Sequence, residues 1–211
     1  FTVTDAPVLS VSCPADETLP ECQTQQQVDD AFAAWIAQFS FSGGCNTTAT
    51  DLSTLTAPPF CGGSVTVDFT ASDDCGQTQS CSATFTVTDA PTLTVSCPAD
   101  ETLPECQDQR RVDDAFAAWI AQFSFSGGCN TTATDLSTLT APPFCGGSVT
   151  VDFTASDECG QTQSCSATFT VTDAPTLTVS CPGDETLPEC QTQQQVDDAF
   201  AAWIAQFSFS G

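Results

Sequence analysis

Cysteine carries most of the chemistry this chain can offer. There are 14 cysteines in 211 residues, set at fixed places in a unit that returns along the chain. Cys13, Cys22, Cys45, Cys61, Cys75 and Cys81 come back 84 residues later (97 − 13 = 84) as Cys97, Cys106, Cys129, Cys145, Cys159 and Cys165. Six cysteines in so small a unit are the pattern of disulfide staples formed in an oxidising space. Zinc is the rival use of thiolates, but it favours close Cys-x-x-Cys knuckles; here the spacings are long and histidine is absent. Reactive thiols need nearby cations, and Arg110 and Arg111 are the only 2 basic side chains. These twelve cysteines are therefore expected to be structural disulfides.

Carboxylates are the second candidate group. Asp5, Asp89 and Asp173 recur near Asp16-Glu17 and Asp100-Glu101, and a later turn adds Asp73-Asp74 and Asp157-Glu158. Calcium takes several oxygen ligands, which makes Asp89, Asp100, Glu101, Asp73 and Asp74 its candidates. No Asp-x-Asp-x-Asp-Gly loop accompanies them, and acidic pairs on turns are ordinarily just solvated. Calcium is the one candidate cofactor, and no catalytic residue is nominated.

Composition narrows the function further. Asp and Glu number 27 and the net charge is −25, with no His, Met or Tyr and no lysine. Acid–base catalysis near neutrality, Schiff-base chemistry and imidazole metal sites lose their usual residues. Nucleic acid would be repelled, since phosphate binding needs a basic footprint; anionic membrane surfaces are disfavoured likewise. No apolar run approaches the roughly 18–20 residues of a membrane span. No basic, then apolar, leader opens the chain, so an export signal is expected outside it. A hydrophobic share of 40%, with 16 Phe and 3 Trp, supplies enough apolar area to fold.

The elements that must hold these residues can be read from one period. Residues 1–84 and 85–168 differ at only six positions: Val8/Thr92, Ser10/Thr94, Thr24/Asp108, Gln26/Arg110, Gln27/Arg111 and Asp74/Glu158. Such uniformity suits an array that multiplies length or avidity, and no enzyme is expected. Val8 to Ser12 alternates as an opening strand. Thr24 with Gln27 forms a capping box, and Asp108 replaces Thr24 in the second copy. Val28, Phe32, Trp35, Ile36 and Phe39 then recur at helical spacing. Leu52 to Thr56 is expected as a short strand. Ser64–Ala71 and Gln79–Val87 alternate around a turn-forming Ser-Asp-Asp-Cys-Gly and predict an antiparallel hairpin. Trp35 and the Phe residues at 32, 39, 41, 60 and 69 are the expected core.

Asp-Ala-Pro at 5–7, 89–91 and 173–175 is a short, proline-stiffened connector. It divides the chain into the last strand of a preceding repeat (1–7), two whole repeats (8–91 and 92–175) and the first part of a further one (176–211). The expected fold is mainly β: tandem immunoglobulin-like β-sandwich domains, each with one inserted helix and about three disulfides, arranged as an extended string.

The strings Val11-Ser12-Cys13-Pro14-Ala15-Asp16, Cys61-Gly62-Gly63-Ser64-Val65-Thr66-Val67 and Cys81-Ser82-Ala83-Thr84-Phe85-Thr86-Val87-Thr88, with Cys45 after a glycine-rich bend, resemble hyalin-repeat-like (HYR-like) modules. Those are immunoglobulin-like extracellular domains in long tandem arrays on giant secreted proteins of Bacteroidota. Cys22 to Phe39 looks like the helical insertion of that bacterial subgroup. The resemblance covers the whole period and implies a surface filament or adhesin, some of these proteins being tied to type IX secretion and gliding. The helix and the extra cysteines depart from general hyalin repeats, so strand order and disulfide pairing are not taken from the resemblance.

Six cysteines allow fifteen pairings. Cys13–Cys81 would join the first and last strands, Cys22–Cys45 would bracket the helix, and Cys61–Cys75 would tie the hairpin to its turn, with Cys75–Cys81 the alternative. The second copy would pair Cys97–Cys165, Cys106–Cys129 and Cys145–Cys159. The expected function is a disulfide-stabilised, acidic structural segment of an extracellular or cell-surface filament or stalk. The alternative is an adhesin whose repeats each grip a glycan or surface, with calcium as the candidate helper. Expected partners are neighbouring repeats of the same chain, laterally associated strings and, for the adhesin, a glycan or surface ligand; nucleic acid and membrane insertion are not expected.

Overall fold

Alternation and helical periodicity become regular structure where the sequence places them. The computed structural model describes residues 1–211. In the first period the elements are β1 (Ser10–Ser12), β2 (Glu17–Leu19), α1 (Gln25–Ile36), β3 (Ser40–Ser42), β4 (Thr48–Ala49), β5 (Gly63–Ser72) and β6 (Thr78–Val87). The second period repeats them as β7 (Thr94–Ser96), β8 (Glu101–Leu103), α2 (Gln109–Ile120), β9 (Ser124–Ser126), β10 (Thr132–Ala133), β11 (Gly147–Ser156) and β12 (Thr162–Val171). The third contributes β13 (Thr178–Ser180), α3 (Gln193–Ile204) and β14 (Ser208–Ser210). The protein is mainly β, with several sheets, three helices and four disulfides.

In the first period the strand order is β2-β6-β5-β4, with β1 and β3 forming a separate antiparallel pair. The β5–β6 hairpin runs in unbroken register from Gly63↔Val87 to Ser72↔Thr78. Alternation puts Val67, Phe69, Ala71, Ala83, Phe85 and Val87 on one buried face and leaves Thr66, Asp68 and Thr70 exposed. β2 adds to β6 in parallel, pairing Glu17↔Phe85 and Leu19↔Val87. The second period reproduces these pairings as Thr132↔Ser156 and Phe169↔Glu101.

Helix α1 closes the buried face. Thr24 accepts from the Gln27 backbone N–H while the Gln27 side chain accepts from the Thr24 N–H, and Asp108 accepts from the Arg111 N–H in the second copy. Asp29 and Asp30 accept from Gln25 and Gln26 one turn earlier, at 2.8 Å each. Phe32 meets Phe85 edge-on with ring centres 5.3 Å apart, Trp35 lies 5.5 Å from Phe85, and Phe39 lies 5.6 Å from Phe69. The buried Trp35 indole N–H donates to the Ala15 carbonyl at 2.9 Å, so its one polar group is satisfied.

Two expectations give way. Leu52 to Thr56 is a turn: Asp51 accepts from the Ser53 N–H and the Leu55 N–H bonds the Leu52 carbonyl, a local arrangement that competes with strand pairing. Phe41 is 44% exposed, because β3 pairs with β1 at the margin and Phe41 stands opposite Val11.

The chain forms two compact units. One comprises 1–97, 122–137 and 152–166; the other comprises 98–121, 138–151 and 167–211. The first holds the α1-on-hairpin core. The second holds α2 packed on β12 through Phe116 and Phe169, whose ring centres are 5.3 Å apart, together with the third-period elements.

Phe85, 0% exposed and touched by Phe32 and Trp35, is the test of this core. Phe85→Ala should destabilise the chain by about 3–5 kcal/mol in denaturant unfolding with the disulfides intact. A loss under about 1 kcal/mol would mean the ring is not packed as described.

Candidate functional site

The residues with chemistry gather where one sequence period meets the next. Four disulfides form. Cys13–Cys81 and Cys97–Cys165 lie within a period, each with Cα atoms 6.0 Å apart, and each links the end of the opening strand to the late strand of the hairpin. The other two cross between periods: Cys22 bonds Cys129 and Cys61 bonds Cys159. Both crossing bonds lie inside the first compact unit.

The expected Cys22–Cys45, Cys61–Cys75, Cys106–Cys129 and Cys145–Cys159 bonds are therefore replaced. The reason is the repeat itself: Cys129 is the copy of Cys45 and Cys159 the copy of Cys75 (129 − 45 = 159 − 75 = 84). Each partner is the expected residue type, moved on by one period. Cys45, Cys75, Cys106 and Cys145 are unbonded, as are Cys181 and Cys190.

Local backbone aims the sulfurs. Cys22 takes a left-handed conformation, φ 61°, unusual for a residue with a Cβ. It sits two residues before the Thr24 cap, where the chain turns sharply into α1. On the receiving side Cys129 is held through its N–H, which donates to Asp157 Oδ2 at 3.1 Å, while the Glu158 N–H donates to the Cys129 carbonyl at 3.1 Å. In the first period Asp73 does this work. Its carboxylate accepts from the N–H groups of Cys45, Cys75 and Gln77 and from the Gln77 side chain, at 2.8–3.1 Å.

The connector Asp89-Ala90-Pro91 runs through the same place. The Ala90 N–H donates to the Cys61 carbonyl at 3.0 Å. The Pro91 carbonyl accepts from the Gly128 N–H at 3.0 Å and from the Gln161 amide at 2.9 Å, and Gln161 Oε1 accepts from the Leu93 N–H at 2.9 Å. Gly62, beside Cys61, has φ +125°, and a Cβ there would collide with Asp89. The expected semi-rigid connector is thus gripped by Cys61 and Gly62 from the first period and by Gly128 and Gln161, close to Cys129 and Cys159, from the second.

Electrostatics follow from these bonds. Partial burial pushes the Asp73 carboxyl up, but the hydrogen bonds from Gln77, Cys45 and Cys75 outweigh it and hold the group below the ordinary aspartate range; Asp157 is held down in the same way by Cys129, Gln161 and Cys159. The Cys75 thiol is pushed up, first by its hydrogen bond with Cys45, then by desolvation and the charges of Cys45, Asp73 and Asp74.

The calcium candidates do not converge. Asp73 is taken up by N–H donors, Asp74 accepts from Asn46 at 2.9 Å, Asp100 accepts from the Thr168 N–H at 2.8 Å, Glu101 lies in β8, and Asp89 packs on Gly62. No group of three or more His, Cys, Asp or Glu side chains is placed to hold a metal ion. No helix is long and apolar enough to cross a membrane. Four disulfides fit an oxidising compartment. Comparison with protein-family models and with curated proteins finds no match.

Two measurements test the joint. Because Cys45 and Cys129 have identical flanking sequence, paired substitutions are more decisive than peptide mapping. Removing two cysteines bonded to each other leaves the number of free thiols unchanged, so Cys22→Ser with Cys129→Ser should titrate like the parent; a gain of two thiols would mean each was bonded elsewhere. Acid titration probes Asp73 and Asp157. Their lowered folded pKa adds stability that is complete above the unfolded value, about 3.9, and is lost as pH falls through the folded value. The melting temperature should therefore drop more steeply below about pH 4 in the parent than in Asp73→Asn/Asp157→Asn. Equal slopes would remove the role given to these carboxylates.

Proposed function

We propose that the chain is a structural segment of an extracellular or cell-surface filament or stalk, in which HYR-like, immunoglobulin-like repeats at 8–91 and 92–175 are joined into a covalently stitched array. The observation that carries this reading is the pair of period-crossing disulfides, Cys22–Cys129 and Cys61–Cys159. An enzyme has no use for joining near-copies of itself in this way. A load-bearing element does, because three covalent connections between neighbours, two sulfur and one peptide, leave the connector little freedom to swing.

The immunoglobulin-like assignment is supported by the division of the first and second periods into a strand pair and a larger sheet with a disulfide between them. Cys13 directly follows β1, and Cys81 lies in β6. An inter-sheet disulfide beside a buried tryptophan is a hallmark of such sandwiches, and Trp35 occupies that core.

Mechanics follow from the bonds within each period. With disulfides intact, the shortest covalent route from Cys81 to Cys97 is 16 residues (97 − 81). At about 3.4 Å per residue that is about 54 Å, to which Cys97–Cys165 adds 6.0 Å. Fully reduced, the 84-residue period (97 − 13) would extend to about 290 Å. A stalk built this way yields under load but cannot be drawn out.

Force spectroscopy on the full chain, tethered at its ends, should show the stretch from Cys13 to Cys165 releasing several-fold less contour length when oxidised than when reduced. Equal lengths in the two states would end the load-bearing reading. Saturable binding of the oxidised chain on a glycan array would move it to the adhesins.

A further inference from the structure

The bonding rule that joins the first two periods also accounts for every unpaired cysteine in the chain. We propose that the Cys106/Cys145 pair is an open donor face whose occupant is a further segment with the sequence of residues 128–175, bonded through that segment's counterparts of Cys129 and Cys159. The Cys45/Cys75 pair is, by the same rule, the receiving face for the Cys22- and Cys61-type cysteines of a preceding unit. The inference rests on the tandem-array reading above and gives it a direction and a bonding register.

Three observations support it independently of the cysteine count. The first is backbone geometry. Unbonded Cys106 has φ 63° and bonded Cys22 has φ 61°, so the costly left-handed turn is already in place where no bond has formed. The turn into the helix sets this conformation whether or not the sulfur is bonded, so Cys106 has the local backbone that the bonded Cys22 has.

The second is the receiving cradle, which has one geometry whether open or filled. The Cys45 N–H meets Asp73 Oδ2 at 3.1 Å, as the Cys129 N–H meets Asp157 Oδ2 at 3.1 Å. Asn46 bonds Asp74 at 2.9 Å, as Asn130 bonds Glu158 at 2.9 Å. What changes is cover: Cys129 is 1% exposed and Cys45 is half-buried.

The third is the face of α3. Phe32 and Phe116 are each 5% exposed beneath their hairpins, whereas Phe200 is 58% exposed. It lines a cavity of about 400 Å³ with Val196, Trp203, Leu187 and the carboxylates Asp184 and Glu185. A segment equivalent to 128–175 brings the hairpin that covers this face, the counterpart of Cys165 for Cys181, and both receivers for Cys106 and Cys145. One occupant answers all of them.

Bond formation is an oxidation. Two thiols lose two protons and two electrons to a small-molecule disulfide such as oxidised glutathione, which leaves as two thiols. No group from the protein is consumed besides the cysteines.

The test compares the 211-residue chain with the same chain extended past Gly211 by a copy of residues 128–175, both oxidised with glutathione. Replacing an unbonded cysteine removes one titratable thiol; replacing a bonded one adds one by releasing its partner. Cys106→Ser and Cys145→Ser should each remove a thiol from the present chain and each add one to the extended chain, while Trp203 fluorescence shifts to the blue as the hairpin covers it. If the blue shift occurs but the two substitutions still remove a thiol, the faces do not bond and the inference fails, with the tensile behaviour of the stalk unaffected. If the extension neither shifts Trp203 nor protects Cys181, the segment is not the occupant and the inference also fails. Cys190→Ser, which should remove one thiol in both chains, controls for scrambling.

Discussion

The structure depends on a covalent constraint between neighbours: the first period gives two sulfurs, Cys22 and Cys61, to the second. The unusual features of the chain serve it. The left-handed turn at Cys22 presents one donor at the mouth of α1. Gly62, where a Cβ would strike Asp89, lets the loop bearing Cys61 lie against the connector. The Asp73 carboxylate holds the backbone of both receiving cysteines, and Asp157 repeats that hold on Cys129. These are buttresses to the sulfur positions more than contributions to the core, which the α1 face and the β5–β6 hairpin build on their own.

A sulfur joint suits a chain of this charge. Residues 1–84 carry ten acidic side chains and no basic ones, and the second period is nearly as acidic, so neighbours repel over a screening length of about 8 Å at physiological salt. Cohesion by ion pairs is not available: the salt bridge present, Arg110 to Asp114 at 3.9 Å, is exposed on one helix face and contributes little. Disulfides hold against that repulsion without weakening as salt or pH changes. The polar part of the joint is likewise built from backbone groups, amides and carboxylates, such as the Gln161 amide bridging Pro91, Leu93 and Asp157.

What could be read from the residues was whatever is local. The Thr24–Gln27 box, the helix that carries Val28, Phe32 and Trp35, and the long hairpin follow from spacing, capping and alternation over short stretches, and the structure has them, with the helix ending at Ile36 before Phe39. Strand β2 was hidden because Glu17–Leu19 is three residues with a single apolar side chain, and its parallel partner β6 lies 68 residues away (85 − 17). The crossing disulfides were hidden for a different reason. In near-identical copies, a bond from Cys22 to Cys45 and a bond from Cys22 to Cys129 have the same flanking sequence, so no composition or spacing rule separates them; three-dimensional placement decides. The left-handed backbone at Cys22 was not signalled either, since cysteine carries no turn preference that would announce it.

The same likeness of the copies has a use in the proposed array. In the proposed array, cysteines at the Cys22 and Cys61 positions bond forward and those at the Cys45 and Cys75 positions bond backward, so the contact would be head-to-tail, and a head-to-tail contact that does not close on itself propagates as an open chain. Each face of such an array would have to fit the opposite face of its neighbour. The six substitutions respect this: all fall on residues exposed in both copies. The one inside the receiving loop, Asp74 to Glu158, keeps its bond to the neighbouring asparagine at 2.9 Å. Near-identity is what the proposed array would need for one pair of sulfur-bearing faces to serve at successive joints.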